Sequence, residues 1–172
     1  IYAAYISGYQ VAFMAPTEVL AEQHFNSIKV FFNNSDLPIN LLTSSVSDRD
    51  SIMKNIENGN PGLFIGTHAL IQDKIHFTNL GLAIIDEQQR FGVEQRKKLI
   101  NKSGLIPDQL VMTATPIPRT TALSIYGDLE ISSINEMPPG RKEVVSYLFS
   151  GLQSDNNAVF NKCMDHLSNN SQ

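Results

Sequence analysis

Leu82-Ala83-Ile84-Ile85-Asp86-Glu87 is the stretch that decides the fold. Its apolar run does not alternate, which is the pattern of a strand covered on both faces. It delivers two adjacent carboxylates at its carboxyl end, where open α/β sheets bind their ligands. A strand-end Asp86 can hold magnesium on nucleotide phosphates, usually through water. Glu87 beside it can orient and deprotonate an attacking water. Asp-Glu pairs also occur by chance in surface turns, so on this stretch alone the two readings stand level.

Working outward, similar apolar runs recur at Val11 to Ala15, Ile39 to Thr43, Leu63 to Gly66 and Leu110 to Met112. Helical patterns lie between them. Leu20, His24, Ile28, Phe31 and Phe32 mark one stripe, on which His24 reads as a core residue. Ser47 to Asn58 forms a second helix, with Ser47 and Asp50 spaced as a capping box and Gly59 as its stop. A third follows Phe91 and gathers Arg96, Lys97, Lys98 and Lys102 towards its end, which suits the helix dipole. Strands alternating with helices predict an α/β fold with a parallel sheet and helices on both faces.

Three further elements follow strands. In Ala15-Pro16-Thr17-Glu18-Val19-Leu20-Ala21-Glu22-Gln23, Thr17 is placed as an N-cap, and the free amides beyond it could bind a backbone phosphate. Gly66-Thr67-His68-Ala69-Leu70 combines a residue that permits close approach with two donors for phosphate oxygens. Thr113-Ala114-Thr115-Pro116-Ile117-Pro118-Arg119 puts two hydroxyls where they could bond the Asp86–Glu87 turn. Each has a plain structural alternative: a helix cap, a structural histidine, a strand-to-helix turn. All of them fall at the carboxyl ends of predicted strands, which would converge them on one edge of one sheet.

Composition narrows the class. The 172 residues are 42% hydrophobic and 17% charged, and no apolar run approaches the length of a membrane span. Thirteen Lys and Arg against 17 Asp and Glu leave a net charge of −4, which disfavours binding nucleic acid through a broad basic face. It leaves room for a protein that holds a strand with backbone amides and a few side chains. The single cysteine, Cys163, reads as a small apolar helix residue, and an intracellular compartment is expected.

The four elements in this order resemble the first motor domain of superfamily-two helicases. Pro16-Thr17 with Leu20, Ala21 and Gln23 resembles motif Ia, and Gly66 to Leu70 resembles motif Ib. Asp86-Glu87-Gln88-Gln89-Arg90-Phe91-Gly92-Val93 resembles motif II with the extension shared by RecG and the transcription-repair coupling factor. Thr113 to Arg119, followed by Thr120, resembles motif III as those two families write it. Tyr126 to Ser132 and Glu136-Met137-Pro138-Pro139-Gly140-Arg141 resemble the RecG family rather than the coupling factor. Gln89 departs from the family, which usually carries His there, but glutamine can still donate and accept.

The resemblance implies a RecA-like lobe over residues 1–137, a linker over 138–143 and the beginning of a second lobe over 144–172, with a strand at Val144 to Phe149. It implies ATP and magnesium as cofactors, with Asp86 on the metal and Glu87 as the base. It places Pro16, Thr17, Gly66, Thr67, His68 and Arg90 towards DNA, and makes Gln89, Thr113 and Thr115 the coupling residues. The activity implied is that of a monomeric, cytoplasmic bacterial helicase that acts on forks and Holliday junctions. The rivals are a transcription-repair coupling translocase and a non-catalytic DNA-binding module. No G-x-x-x-x-G-K-[ST] occurs in the 172 residues. The lobe is therefore expected to be truncated at its N-terminus, inactive by itself, and short of a strand near mid-sheet.

Overall fold

The computed structural model describes residues 1–44, 46, 48–102, 104, 106–115, 130–136, 140, 146, 148 and 153–168. The chain divides into two compact units, Ile1–Ile125 and Tyr126–Gln172. The first contains α1 (Tyr2–Ile6), β1 (Gln10–Met14), α2 (Glu18–Phe31), β2 (Ile39–Leu42), α3 (Arg49–Glu57) and β3 (Gly62–Gly66). A 3-10 turn, His68–Ile71, leads on to β4 (Leu80–Ile85), a second 3-10 turn at Gln88–Arg90, α4 (Val93–Ile100) and β5 (Asp108–Val111). Of the second unit, helix α5 (Gln153–Ser168) is described. Ser47, Pro116 to Thr120, Pro138, Pro139 and most of the strand expected at Val144 to Phe149 lie outside the described residues.

The five strands form one sheet in the order β2-β3-β1-β4-β5, and every pairing is parallel. All five apolar runs are strands, within two residues of the expected bounds. The expected break at mid-sheet is absent. Strand β1 occupies the centre and is paired on both sides, with β3 and with β4. Among the described residues the open edges belong to β2 and β5 instead, and β5 is largely exposed, with Leu110 at 47%.

The core has two halves because side chains alternate across a strand. Ala12, Met14, Phe64, Leu80, Ala83 and Ile85 face one side, where Ile52 and Ile56 of α3 and Leu99 of α4 cover them. Val11, Phe13, Leu63, Ile65 and Ile84 face the other, under Ala21, Leu20, Phe25 and Ile28 of α2. Helices on both faces explain why these strands read as continuous apolar runs.

Local chemistry sets the helix ends. Thr17 caps α2, its Oγ1 accepting from Leu20 N at 3.3 Å. Helix α3 starts from Asp48 with no side-chain cap, so the expected capping box is not its start. It stops as expected at Gly59, whose φ of +72° suits a residue without Cβ. Gln10, fully buried at the start of β1, donates to Ile56 O at 2.8 Å and accepts from Asn79 N at 3.0 Å. It thereby ties the end of α3 to the chain entering β4. In α5, Val159, Phe160, Met164 and Leu167 are exposed, as is Cys163.

Candidate functional site

The sheet register lines up the strand ends. Leu42, Gly66, Met14, Ile85 and Val111 are neighbours across the five strands. The backbone keeps zipping past them: Ala15 N donates to Gly66 O at 2.8 Å, Asp86 N to Met14 O at 3.0 Å and Met112 N to Ile85 O at 2.8 Å. The segments beginning at Pro16, Thr67, Asp86 and Thr113 therefore leave the sheet along one edge, as parallel strands require of residues at their carboxyl ends.

Asp86 and Glu87 are both half-buried there. Asp86 Oδ1 accepts from Glu87 N at 2.9 Å, and Oδ2 accepts from His24 Nε2 at 2.7 Å. An ionised carboxylate offers only lone pairs, so the imidazole nitrogen carries the proton in that bond. Glu87 adopts φ 47° and ψ 50°, the left-handed region that non-glycine residues enter at a cost of about 1–2 kcal/mol. That conformation turns the chain abruptly into the Gln88–Arg90 turn, closed by Arg90 N to Glu87 O at 2.8 Å. The surrounding bonds hold it: Asp86 Oδ1 fixes the Glu87 amide, and Gln89 Nε2 donates to Glu87 Oε2 at 2.5 Å.

Gln89 uses its other amide atom as well. Thr113 Oγ1 donates to Gln89 Oε1 at 3.0 Å, and Thr115 N donates to Thr113 Oγ1 at 3.1 Å. A continuous chain of hydrogen bonds thus runs from the Glu87 carboxylate through one amide side chain to the segment after β5. Thr115 takes part through its backbone amide rather than its hydroxyl. The neighbour Gln88 points the other way, is buried, and accepts from Arg96 Nη1 at 3.2 Å, which locks α4 to the turn.

The remaining residues divide by exposure. Thr17, His68 and Arg90 are exposed, Pro16 is half-buried, and Gly66 and Thr67 are buried. Gly66 does need close approach, but to its own sheet: a Cβ there would stand 2.4 Å from Leu42 O. The His68 ring rests against Phe91, with centroids 5.4 Å apart, so the residue after the Gln88–Arg90 turn supports the segment after β3. Arg90 makes no side-chain hydrogen bond or ion pair among the described residues.

His24 corrects the expectation from sequence. It is not an inert core residue: its ring packs on Phe13, centroids 4.6 Å apart, and its outer nitrogen reaches Asp86. The usable signal was its place on the stripe Leu20, His24, Ile28. A ring N–H on a sheet-facing position demands an acceptor, and the nearest strand end supplies a carboxylate.

Among the described residues no group of three or more His, Cys, Asp or Glu could cage a metal ion. Magnesium does not need such a cage, since it takes one or two carboxylates, phosphate oxygens and several waters. Asp86 fits that demand, because each of its oxygens accepts one hydrogen bond and retains a lone pair.

Comparison with known proteins agrees with this geometry. The family model for DEAD/DEAH box helicases matches residues 2–123. The chain belongs to the DEAD/DEAH box helicase family. Within that family it is 53% identical over 164 residues to the ATP-dependent DNA helicase RecG of Aquifex aeolicus (strain VF5), covering 94% of this chain and 20% of the relative. It is also 53% identical to RecG of Bacillus subtilis (strain 168), over 86% of this chain and 22% of the relative. The chain therefore spans about a fifth of the length of these curated relatives. A solved structure of RecG bound to a three-way DNA junction matches with a TM-score of 0.72 and 43% identity, covering 95% of this chain and 22% of that one. The helicase fold, a RecA-like parallel sheet with helices on both faces, and the resemblance to RecG both stand. No helix among the described residues is long and apolar enough to cross a membrane.

Proposed function

We propose that the protein carrying this chain is an ATP-dependent DNA helicase that drives branch migration and regression of stalled forks and Holliday junctions, and that this chain is most of its first motor lobe. On this reading residues 1–137 are the ATP-binding lobe, 138–143 the interlobe linker and 144–172 the start of a second lobe. The observation that carries the reading is the hydrogen-bond chain from Glu87 through Gln89 to Thr113. It joins the residue suited to activate water to a separate segment of the same sheet edge. A motor needs that connection and a passive DNA-binding module does not. The identity to RecG proteins, one of them solved on a three-way junction, supplies the substrate class.

In this scheme Asp86 is the magnesium ligand, through water. Magnesium held there would neutralise charge on the nucleotide's phosphates. Glu87 is the base: its αL backbone aims the carboxylate along the edge, and Gln89 holds it until the proton of the attacking water is taken. Thr17, His68 and Arg90 make the side-chain contacts to the DNA backbone, with Pro16, Gly66 and Thr67 shaping the turns that present them. Gln89, Thr113 and Thr115 carry the state of one site to the other. The protein works as a monomer on branched DNA in the bacterial cytoplasm.

Glu87→Gln in the full-length protein tests the reading. It removes the base and keeps the shape, so ATP binding should stay near wild type while turnover falls by about 100-fold or more. A wild-type ATPase rate in that variant would take Glu87 out of the mechanism.

A further inference from the structure

Helix α2 carries two residues whose surroundings belong to different sites. Thr17 caps its N-terminus at the exposed edge assigned to DNA. Seven positions on, His24 donates to Asp86 Oδ2 at 2.7 Å. An α-helix repeats its face about every seven residues, so the two lie on one side of α2, roughly 10 Å apart along its axis. The helix between them is regular and packed on the sheet through Leu20, Ala21, Phe25 and Ile28. It moves as a unit.

The His24 ring is also fixed from below. Phe13, buried on β1, lies against it with centroids 4.6 Å apart. A ring held this way has little freedom to follow a wandering carboxylate, so the carboxylate is held to the ring. Asp86 is then pinned at both oxygens, by its own chain through Glu87 N and by α2 through His24. The first bond is local and persists whatever α2 does. The second depends on where α2 sits.

We propose that His24 is a positioning residue for the magnesium carboxylate, and that it carries the state of the Thr17 end of α2 to Asp86. This is a second line of communication, separate from the one through Gln89 and Thr113, and it acts on the metal rather than on the base. It rests on the reading of Asp86 as the magnesium ligand. Outer partners of direct metal ligands typically contribute 10–100-fold to metal affinity; since Asp86 reaches the metal through water, the effect to look for is at the lower end of that range, about tenfold.

The test uses the full-length protein with a non-hydrolysable ATP analogue, and Mn2+ as a spectroscopic probe of the metal site. Electron paramagnetic resonance gives the Mn2+ affinity with and without a three-way DNA junction. Wild type should show a shift in that affinity when DNA is added. His24→Leu should weaken Mn2+ binding by about tenfold and lose the DNA-induced shift, with the melting temperature and metal-free nucleotide affinity near wild type. His24→Gln, whose amide can donate from a similar position, should recover most of both. Should the leucine variant melt early, His24→Asn, polar but shorter, makes the same comparison. Wild-type Mn2+ affinity in a folded variant whose side chain cannot donate to Asp86, for lack of a donor or of length, or an intact DNA-induced shift, overturns the inference. Asp86→Asn separates the two levels. If that variant loses Mn2+ while the His24 variants do not, only this inference fails; if it keeps Mn2+, the assignment of Asp86 fails first.

Discussion

Gln89 makes two bonds that no other residue at the sheet edge makes together. Its nitrogen donates to the Glu87 carboxylate and its oxygen accepts from the Thr113 hydroxyl. An amide has a donor and an acceptor on one rigid plane, so a shift at one end must rotate the other. Thr113→Ala with Thr115→Ala breaks this link while leaving Asp86 and Glu87 in place. DNA-stimulated ATPase should survive largely intact, and junction unwinding should fall by about tenfold or more, the scale of an ordinary coupling free energy. Equal loss of both activities would mean that the segment is not a transmission element. Which residues stand at the edge was legible in the sequence, because each follows an apolar run. That Gln89 pairs with the segment of Thr113 was implied by the family resemblance, but what His24 touches was not legible, since its bond joins residues 62 positions apart in the chain. Nothing in the spacing from His24 to Asp86 announces a 2.7 Å contact.

Elements are where the sequence spoke most clearly. The central strands β1 and β3 are buried at every position and so left nearly continuous apolar runs, while the edge strand β5 left a run of its own although it is largely exposed. Helix starts were harder. Thr17 caps α2 as its position suggested, but the Ser47–Asp50 spacing did not mark where α3 begins, because the helix starts from Asp48 without a side-chain cap. Gly66 illustrates how a feature read from the sequence can have a second partner that the sequence does not name. Close approach was expected towards a phosphate and is found towards Leu42 O of the neighbouring strand. Gly66→Ala must therefore push β2 and β3 apart at the edge, and should destabilise the lobe by about 1–3 kcal/mol. Chemical denaturation of the full-length protein would register this as a lower midpoint for the transition of this lobe. An unchanged midpoint would show that the edge yields freely. Gln10→Leu makes a companion case: its amide serves Ile56 O and Asn79 N, and losing it leaves the part-buried Asn79 N–H without its acceptor while Ile56 O keeps its bond from Gly59 N, at about 1–3 kcal/mol in all.

For the molecule as a whole, the order β2-β3-β1-β4-β5 matters more than any single element. Strand order depends on pairing between distant segments, and the apolar runs carry no information about it. That is why a break at mid-sheet could be expected from sequence and found absent. The exposed apolar surface sits at the periphery instead: Leu110 on the edge strand, and Val30 and Phe31, exposed by 75% and 80%, at the end of α2. The isolated 172-residue chain should associate as its concentration rises, measured by light scattering, and Leu110→Lys should reduce this by putting a charge on the open edge. It should also bind no magnesium-ATP above background by calorimetry, since it contains no lysine-bearing phosphate loop. A concentration-independent monomer that binds ATP would contradict both. The central place of β1 has a further consequence, in time rather than in space. Its amides can exchange with deuterated solvent only after a neighbour on one side or the other has parted. Among the described residues those of β2 and β5 are guarded on one side alone, so exchange should proceed inward from these edges and reach β1 last. Thr113 follows directly on β5. The segment proposed to pass signals between DNA and nucleotide is thus attached to an edge strand, and the parting of that strand from β4 would also loosen the grip on Glu87.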